Sequence, residues 1–165
     1  MLGALPAGPH YAVLDGARDR RIRGFVLDSR APRWNLYRGK LTRELEDAAP
    51  YLLSLEPGKP YVEELFARFW GRSCGILVAS AQAPALLRRH LRKFLLARDP
   101  KGRVLVFRYY DPRMLRVYLP SLTPDELGKF FGETAALACE GDEPGTLQVY
   151  RRLPEGLDQQ LVRTD

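Results

Sequence analysis

Apolar residues along the chain follow two alternating patterns, short continuous runs and longer stretches with a single apolar face. The clearest stretch of the second kind is 84–95, where leucine and phenylalanine line one face and arginine and lysine occupy the other. The clearest short runs lie at 11–14, 51–55 and 74–79, and they predict buried strands. We therefore expect a helix over 84–95 that covers a sheet built from these strands.

The same patterns predict the remaining elements. Further helices are expected over 17–27, 41–48, 62–70, 112–119 and 123–131. Further strands are expected over 34–37, 94–98, 103–110, 134–139 and 146–153. The turn-forming residues 99–102 predict that the strands at 94–98 and 103–110 form a hairpin. From Glu155 onward the pattern is weak, and we expect a short helix or no fixed structure.

Strands alternate with helices over most of the length, which predicts an α/β fold. We expect a mixed sheet of about five to seven strands with helices packed on its faces. The chain has 165 residues, of which 45% are hydrophobic and 28% charged. This size and composition predict a single compact domain over residues 1–165 with a sizeable core.

A helix start signal follows directly on the strand predicted at 103–110. Its aromatic and β-branched residues favour a strand, Asp111 suits the N-cap position, and Pro112 suits the first helical position. Arg108 and Arg113 flank the cap, and we expect one or both of them to pair with a carboxylate or with chain-end carbonyls. The segment therefore predicts a strand that leads directly into a helix.

Positive and negative charges are unevenly distributed, and the formal net charge is +6. Residues 1–122 hold 22 basic and 11 acidic side chains, whereas residues 123–165 hold 4 and 9. A solvated surface whose charges pair across the fold is the simplest interpretation. Nucleic acid or an acidic protein partner remains an alternative.

Nothing in the sequence indicates catalysis or a bound cofactor or metal. The chain lacks the H-E-x-x-H, P-loop and G-x-S-x-G motifs, and we expect His90 to be a half-buried, hydrogen-bonded residue. Cys74 and Cys139 lie far apart and are expected to be buried as small hydrophobes. Asp15 and Asp111 could hold a phosphate or metal at strand ends, although a turn and a helix cap explain them more simply.

The basic face of the helix at 84–95 leaves a nucleic-acid-binding module as an alternative function. It carries Arg88, Arg89, Arg92 and Lys93, and Tyr109 and Tyr110 could stack on bases. No recognised nucleic-acid motif accompanies these residues, so any binding should be weak and lost with salt.

No apolar run is long enough to span a membrane, and residues 1–10 lack the basic start of a signal peptide. We expect a cytoplasmic protein.

Short blocks spread from Tyr11 to Gly132 resemble a known family in the same order. They are Tyr11–Gly16, Leu36–Gly39, Ala49–Leu52, Trp70–Gly71, His90–Arg92, Phe107–Leu115, Leu119–Leu122 and Phe130–Gly132. The chain resembles the adaptors, or chaperones, for effectors of the bacterial type VI secretion system (domain of unknown function 4123). Larger adaptors of this kind carry an extra C-terminal lobe, whereas residues 133–165 here predict a short hairpin and tail.

The resemblance implies a non-enzymatic bacterial adaptor that binds one cognate secreted effector, a toxin, near the effector's N-terminal region. It further implies that the adaptor helps to load the effector on the spike protein, which is a second candidate partner. Neither a membrane nor a specific nucleic acid is expected as a partner. The candidate partner-binding residues are those of the strand-to-helix junction, with two arginines as an electrostatic rim: Tyr109, Tyr110, Asp111, Arg113, Met114, Tyr118, Arg88 and Arg92.

Overall fold

An antiparallel sheet forms the centre of the protein in the computed structural model, which describes residues 1–164. The strands of the chain are β1 (His10–Asp15), β2 (Arg33–Asn35), β3 (Pro50–Leu55), β4 (Gly75–Ser80), β5 (Leu96–Arg98), β6 (Val104–Val106), β7 (Thr134–Glu140), β8 (Thr146–Leu153) and β9 (Gly156–Arg163). Within the described residues, seven of them form the main sheet in the order β2-β3-β1-β4-β7-β8-β9. The other two, β5 and β6, pair only with each other, and we call them the ribbon.

Helices cover the sheet and connect its strands. They are α1 (Arg21–Asp28), α2 (Arg43–Asp47), α3 (Pro60–Phe69), α4 (Pro84–Arg92), α5 (Pro112–Tyr118) and α6 (Pro124–Phe131), with short 3-10 turns at Leu2–Ala4 and Leu119–Ser121. The last four helices each begin with a proline. Proline suits this position because the first helical N–H has no partner within the helix.

Two apolar cores lie on opposite faces of the sheet. On one face, α1 and α3 contribute Phe25 and Phe69, which pack with Leu14 of β1. On the other face, α4, α5 and α6 pack against Val13, which precedes Leu14 in β1, and against Ile76 of β4. Successive side chains of a strand point to opposite faces, so a strand covered on both faces must be apolar throughout. This explains the continuous apolar runs in the sequence.

The predicted fold class is confirmed, with helices on both faces of one sheet in a single compact domain. Every strand pairing within residues 1–164 is antiparallel, so the sheet itself is antiparallel and not mixed in strand direction. The prediction for the C-terminal tail is wrong, because residues 156–163 form β9 at the edge of the sheet. Leu153 pairs with Gly156 across a two-residue turn, and the returning strand pairs with the whole of β8. Asp165, the last residue of the expected tail, lies outside the described residues.

The strand predicted at 103–110 is shorter in the structure. β6 ends at Val106, and the chain then turns inward, where Tyr109 and Tyr110 are fully buried. The hairpin between 94–98 and 103–110 is confirmed, since β5 and β6 pair in antiparallel register.

Cys74 and Cys139 are buried, as predicted. Among the described residues, the structure contains no helix with the length and apolar character needed to cross a membrane.

Candidate protein-interaction surface

Asp111 caps helix α5 and pairs with Arg113. One carboxylate oxygen accepts a hydrogen bond from the backbone N–H of Arg113 at 2.9 Å, and the other lies 2.6 Å from the Arg113 guanidinium. Partial burial alone would raise the pKa of the Asp111 carboxyl. The hydrogen bonds and charge of Arg113 outweigh this effect, so the pKa lies below its usual value. The predicted cap and the predicted pairing of Arg113 are both confirmed.

Replacing Asp111 with alanine should lower the free energy of unfolding by about 1 kcal/mol at neutral pH, because the cap is lost. The folded-state pKa is below the unfolded one, so this contribution is complete above about pH 4, near the unfolded value, and declines as the pH falls further. Urea denaturation at pH 7 and pH 3 measures both effects.

Asp125 provides the control, because it lies in the first turn of α6 and makes no side-chain hydrogen bond within the described part of the chain. Asp125→Ala should change stability by less than about 0.5 kcal/mol. Equal losses for the two variants would contradict the role of Asp111 as a cap. An unchanged stability for Asp111→Ala, with partner binding lost, would make Asp111 a contact residue instead.

Tyr109 and Tyr110 are candidate partner-binding residues, and in the structure both rings are fully buried. The hydroxyl of Tyr109 donates a hydrogen bond to the backbone oxygen of Leu91 in α4 at 3.1 Å. Burial raises the pKa of both phenols well above the usual value. The two rings are buried because the chain turns into the core directly after β6, and their contact with a partner remains a prediction.

Tyr109 belongs to a connected group of rings that we call the aromatic cluster. Its members are Phe94, Phe107, Tyr109, Tyr110, Tyr118, Phe130 and Phe131. The ring centroids of Phe107 and Tyr118 lie 4.6 Å apart, which connects the end of the ribbon to the end of α5. Phe130 of α6 contacts Tyr109 and Tyr118 edge to face. The cluster therefore fixes the base of the ribbon against three helices.

The ribbon itself is exposed along its full length. In register, Leu96 pairs with Val106, Ala97 with Leu105, and Arg98 with Val104. All these residues are exposed, and four of them have large aliphatic side chains: Leu96, Val104, Leu105 and Val106. Side chains alternate between faces, so the leucine and valines of the first and third pairs share one face. The ribbon thus presents an apolar surface to solvent.

Helix α5 has an exposed apolar face of its own. Met114 and Val117 are spaced three residues apart, which places them on the same side of the helix, and both are exposed. Arg113 is exposed as well, whereas Tyr118 is half buried in the aromatic cluster. Among the residues predicted for the junction, Arg113 and Met114 are thus exposed to solvent. Their contact with a partner remains a prediction.

Arg88 and Arg92 lie on α4 and contact the loop that follows β2. Arg88 donates to the backbone oxygen of Asn35 at 3.1 Å. Arg92 donates to the backbone oxygens of Leu36 at 2.9 Å, Asn35 at 3.0 Å and Tyr37. The two arginines therefore hold the edge of the sheet against α4. This position is on a different element from the junction residues with which they were grouped.

Asp15 and His90 have structural partners. Asp15 is buried at the end of β1, where it accepts a hydrogen bond from the N–H of Ala17 and lies 3.6 Å from the Arg108 guanidinium. Burial raises the pKa of its carboxyl despite this charge. His90 is half buried and lies 2.7 Å from the backbone oxygen of Phe130, as predicted. No cluster of three or more potential metal-ligating side chains occurs within residues 1–164.

Sequence reasoning missed the exposed residues of the ribbon and Val117. The apolar run 104–106 predicted a strand, and a strand with consecutive apolar residues is usually buried on both faces. Its shortness and the polar turn 99–102 were signals of a separate hairpin. Arg38 and Trp34, which lie near Arg88 and Arg92, were also missed as site residues.

Comparison with known proteins identifies a family for most of the chain. No curated protein and no solved structure matches it. A family model described as a domain of unknown function (DUF4123) matches residues 10–129. That range includes β1 to β6, all the helices except the last two residues of α6, and both the ribbon and the junction at Asp111. The chain therefore belongs to the DUF4123 family of domains of unknown function.

Proposed function

We propose that this protein is a non-enzymatic adaptor, or chaperone, that binds a cognate type VI secretion effector. It binds near the effector's N-terminal region and helps to load the effector on the spike protein. Membership of the DUF4123 family and the ordered blocks described above support this function. The exposed ribbon is the structural observation on which the proposal depends.

An apolar ribbon suits a partner-binding role on physical grounds. Contiguous exposed aliphatic side chains are disfavoured on a protein that stays alone in water, and they commonly mark interaction sites. The aromatic cluster holds the base of the ribbon in place, so little conformational freedom is lost there when a partner binds. The exposed Met114 and Arg113 on α5 add residue types that are enriched at interfaces. An apolar effector segment is the partner that matches this surface.

Co-expression with the product of an adjacent toxin gene tests the proposal. We expect the effector to be poorly soluble alone and to co-purify with this protein, because an uncovered apolar segment promotes aggregation. In the ribbon variant, Leu96→Ser and Val106→Ser remove a cross-strand apolar pair. Capture of the effector should fall by about thirtyfold, which corresponds to the loss of about 2 kcal/mol at a central contact.

A matched variant controls for the loss of exposed apolar area. Leu45 and Leu161 are 48% and 57% exposed, close to the 54% of Val106 and the 62% of Leu96, and they lie on α2 and β9. Leu45→Ser with Leu161→Ser should leave capture unchanged. Equal losses of capture in both variants would show that the ribbon is not the effector-binding surface. Secretion of an active effector from a strain that lacks this protein would overturn the adaptor function itself.

A basic nucleic-acid-binding module is the second candidate, and the arginines of α4 are the observation that favours it. Arg103, a further basic residue directly before β6, pairs with Asp99 at 2.6 Å, so its charge is partly neutralised. Tyr109 and Tyr110 are buried and have no exposed ring for a base. We therefore expect only weak, salt-sensitive binding of nucleic acid.

A further inference from the structure

A cavity of about 250 Å³ opens between the edge of the sheet and helix α4. Its lining residues are Trp34 of β2, Arg38 of the following loop, and Ala85, Arg88, Arg89 and Arg92 of α4. We call this cavity the arginine pocket. Four arginines and one tryptophan therefore line a space that is large enough for a few small side chains.

Two of the four arginines are held in place by the backbone. Arg92 uses its Nε and Nη2 groups to bind the carbonyls of residues 35–37, and Arg88 uses its Nε group for one of them. A guanidinium carries five N–H donors, so each side chain keeps donors that these bonds do not use. Both side chains are therefore held in position at the pocket with donors still available.

The positive charge of the pocket has no counterpart in the fold. Within residues 1–164, none of the four arginines forms a salt bridge, whereas Arg23, Arg113 and Arg116 each pair with a carboxylate. Burial lowers the pKa of Arg92 from its usual value, and the charges of Arg88 and Arg38 lower it further. A bound anion would offset this repulsion.

We propose that the arginine pocket binds a carboxylate-rich segment of a protein partner. Arg88 and Arg92 act as fixed donors, and the exposed Arg38 and Arg89 close on the segment from the rim. Guanidinium groups match carboxylates in planar, bidentate geometry, which a cluster of arginines supplies several times over. The inference rests on the proposed adaptor function, since the partner would be the effector, and it assigns a second contact apart from the ribbon.

A carboxylate-rich peptide fits the pocket better than nucleic acid does. Single-stranded nucleic acid is usually bound along a groove in which several aromatic rings stack on successive bases. Here a single half-buried indole, that of Trp34, lines a compact cavity. The rings of Tyr109 and Tyr110, which the sequence offered for stacking, are fully buried.

A hexaglutamate peptide with a fluorescent label tests the pocket on the purified chain, with a thymidine hexanucleotide as the competing class of ligand. Anisotropy titrations at low and at physiological salt measure both affinities. Trp34 and Trp70 are the only tryptophans in the sequence, so Trp70→Phe leaves Trp34 as the sole indole reporter. We expect the peptide to bind and to change the Trp34 emission, and we expect the oligonucleotide to bind more weakly at physiological salt.

Two charge-matched variants separate a local site from a general positive field. Arg38→Gln with Arg89→Gln removes the rim of the pocket, and we expect peptide affinity to fall by about tenfold or more. Arg43→Gln with Arg152→Gln removes the same charge from exposed positions on α2 and β8. That variant should bind the peptide within about twofold of the parent protein, because neither arginine lines the pocket and exposed charges are screened by salt.

Three results would overturn the proposal: no binding of the peptide, equal losses in the two variants, or tighter binding of the oligonucleotide at physiological salt. The last result would instead favour the nucleic-acid module. The test needs no effector, so its failure is distinct from failure of the adaptor function. Peptide binding without effector capture would support the pocket and overturn the adaptor function. Effector capture without peptide binding would overturn the pocket and support the adaptor function.

Discussion

Replacing Gly75 with alanine should destabilise the protein by about 3 kcal/mol, at the upper end of the usual cost of overpacking. A Cβ atom at this position would lie 2.3 Å from the backbone oxygen of Val13 and 3.1 Å from the Cα of Leu14. Gly75 begins β4 and pairs with Leu14 of β1 in the middle of the sheet. The two strands would have to separate to admit the methyl group, which would strain their ladder of hydrogen bonds.

Gly24→Ala is the matched control. Gly24 lies in helix α1 and is exposed, and a Cβ atom added there would meet nothing within 4 Å. Alanine should raise the free energy of unfolding there by about 0.5–1 kcal/mol, because glycine loses more backbone freedom in a helix. Urea denaturation of both variants measures the difference. A loss of less than about 1 kcal/mol for Gly75→Ala would show that β1 and β4 are less closely constrained than the structure indicates.

Periodicity alone predicted most of the main sheet and its covering helices. The apolar run at 74–79 became β4, which is buried along its full length, and the amphipathic stretch at 84–95 contains α4. These predictions succeed because burial on both faces requires apolar residues throughout a strand, whereas a helix at the surface needs only one apolar face. The β5–β6 hairpin was predicted for a similar local reason, the turn at 99–102.

β9 escaped prediction because its residues carry little local signal. Its centre, Asp158, Gln159 and Gln160, is polar, and the strand exists through pairing with β8 along an edge of the sheet. Such pairing depends on a neighbouring strand that is already fixed by the core. Edge strands commonly carry polar and charged residues, since these discourage pairing with other chains. The pattern in the sequence therefore resembled a solvated tail.

The candidate surface was only partly predictable, because exposure depends on which layers cover a residue. Tyr109 and Tyr110 lie next to the correctly predicted cap at Asp111, yet they point into the core. The aliphatic residues of β6 have a sequence typical of a buried strand. They are nevertheless exposed, because no layer of the described chain covers them. Both segments are rich in apolar residues, so local composition does not distinguish the buried one from the exposed one. The packing of α4, α5 and α6 around the aromatic cluster decides between them.

The uneven charge distribution also has a structural basis. In the acidic loop between β7 and β8, Asp142 pairs with Arg116 of α5 at 2.7 Å, and Glu140 at the end of β7 accepts a hydrogen bond from the N–H of Ser73. Part of the negative charge is therefore paired across the fold, as the simplest interpretation of the sequence predicts. The arginine pocket is not part of this pairing, so its positive charge remains for a partner.

Truncation of Tyr109 to alanine should lower the free energy of unfolding by about 3–5 kcal/mol, because a fully buried ring would leave a cavity among Phe107, Tyr110 and Phe130. Tyr109→Phe keeps the ring and removes only the hydrogen bond to Leu91, so it should cost about 1 kcal/mol. Urea denaturation of the two variants separates packing from hydrogen bonding.

Effector capture by Tyr109→Phe distinguishes a structural role of this tyrosine from direct contact. The hydroxyl binds the backbone of α4 inside the protein, so the variant should capture the proposed effector as well as the parent protein does. Tyr109→Ala should reduce capture only as far as it unfolds the protein or loosens the base of the ribbon. A stable Tyr109→Phe variant that no longer captures the effector would show that this hydroxyl contacts the partner, and that the corner after β6 opens when the partner binds.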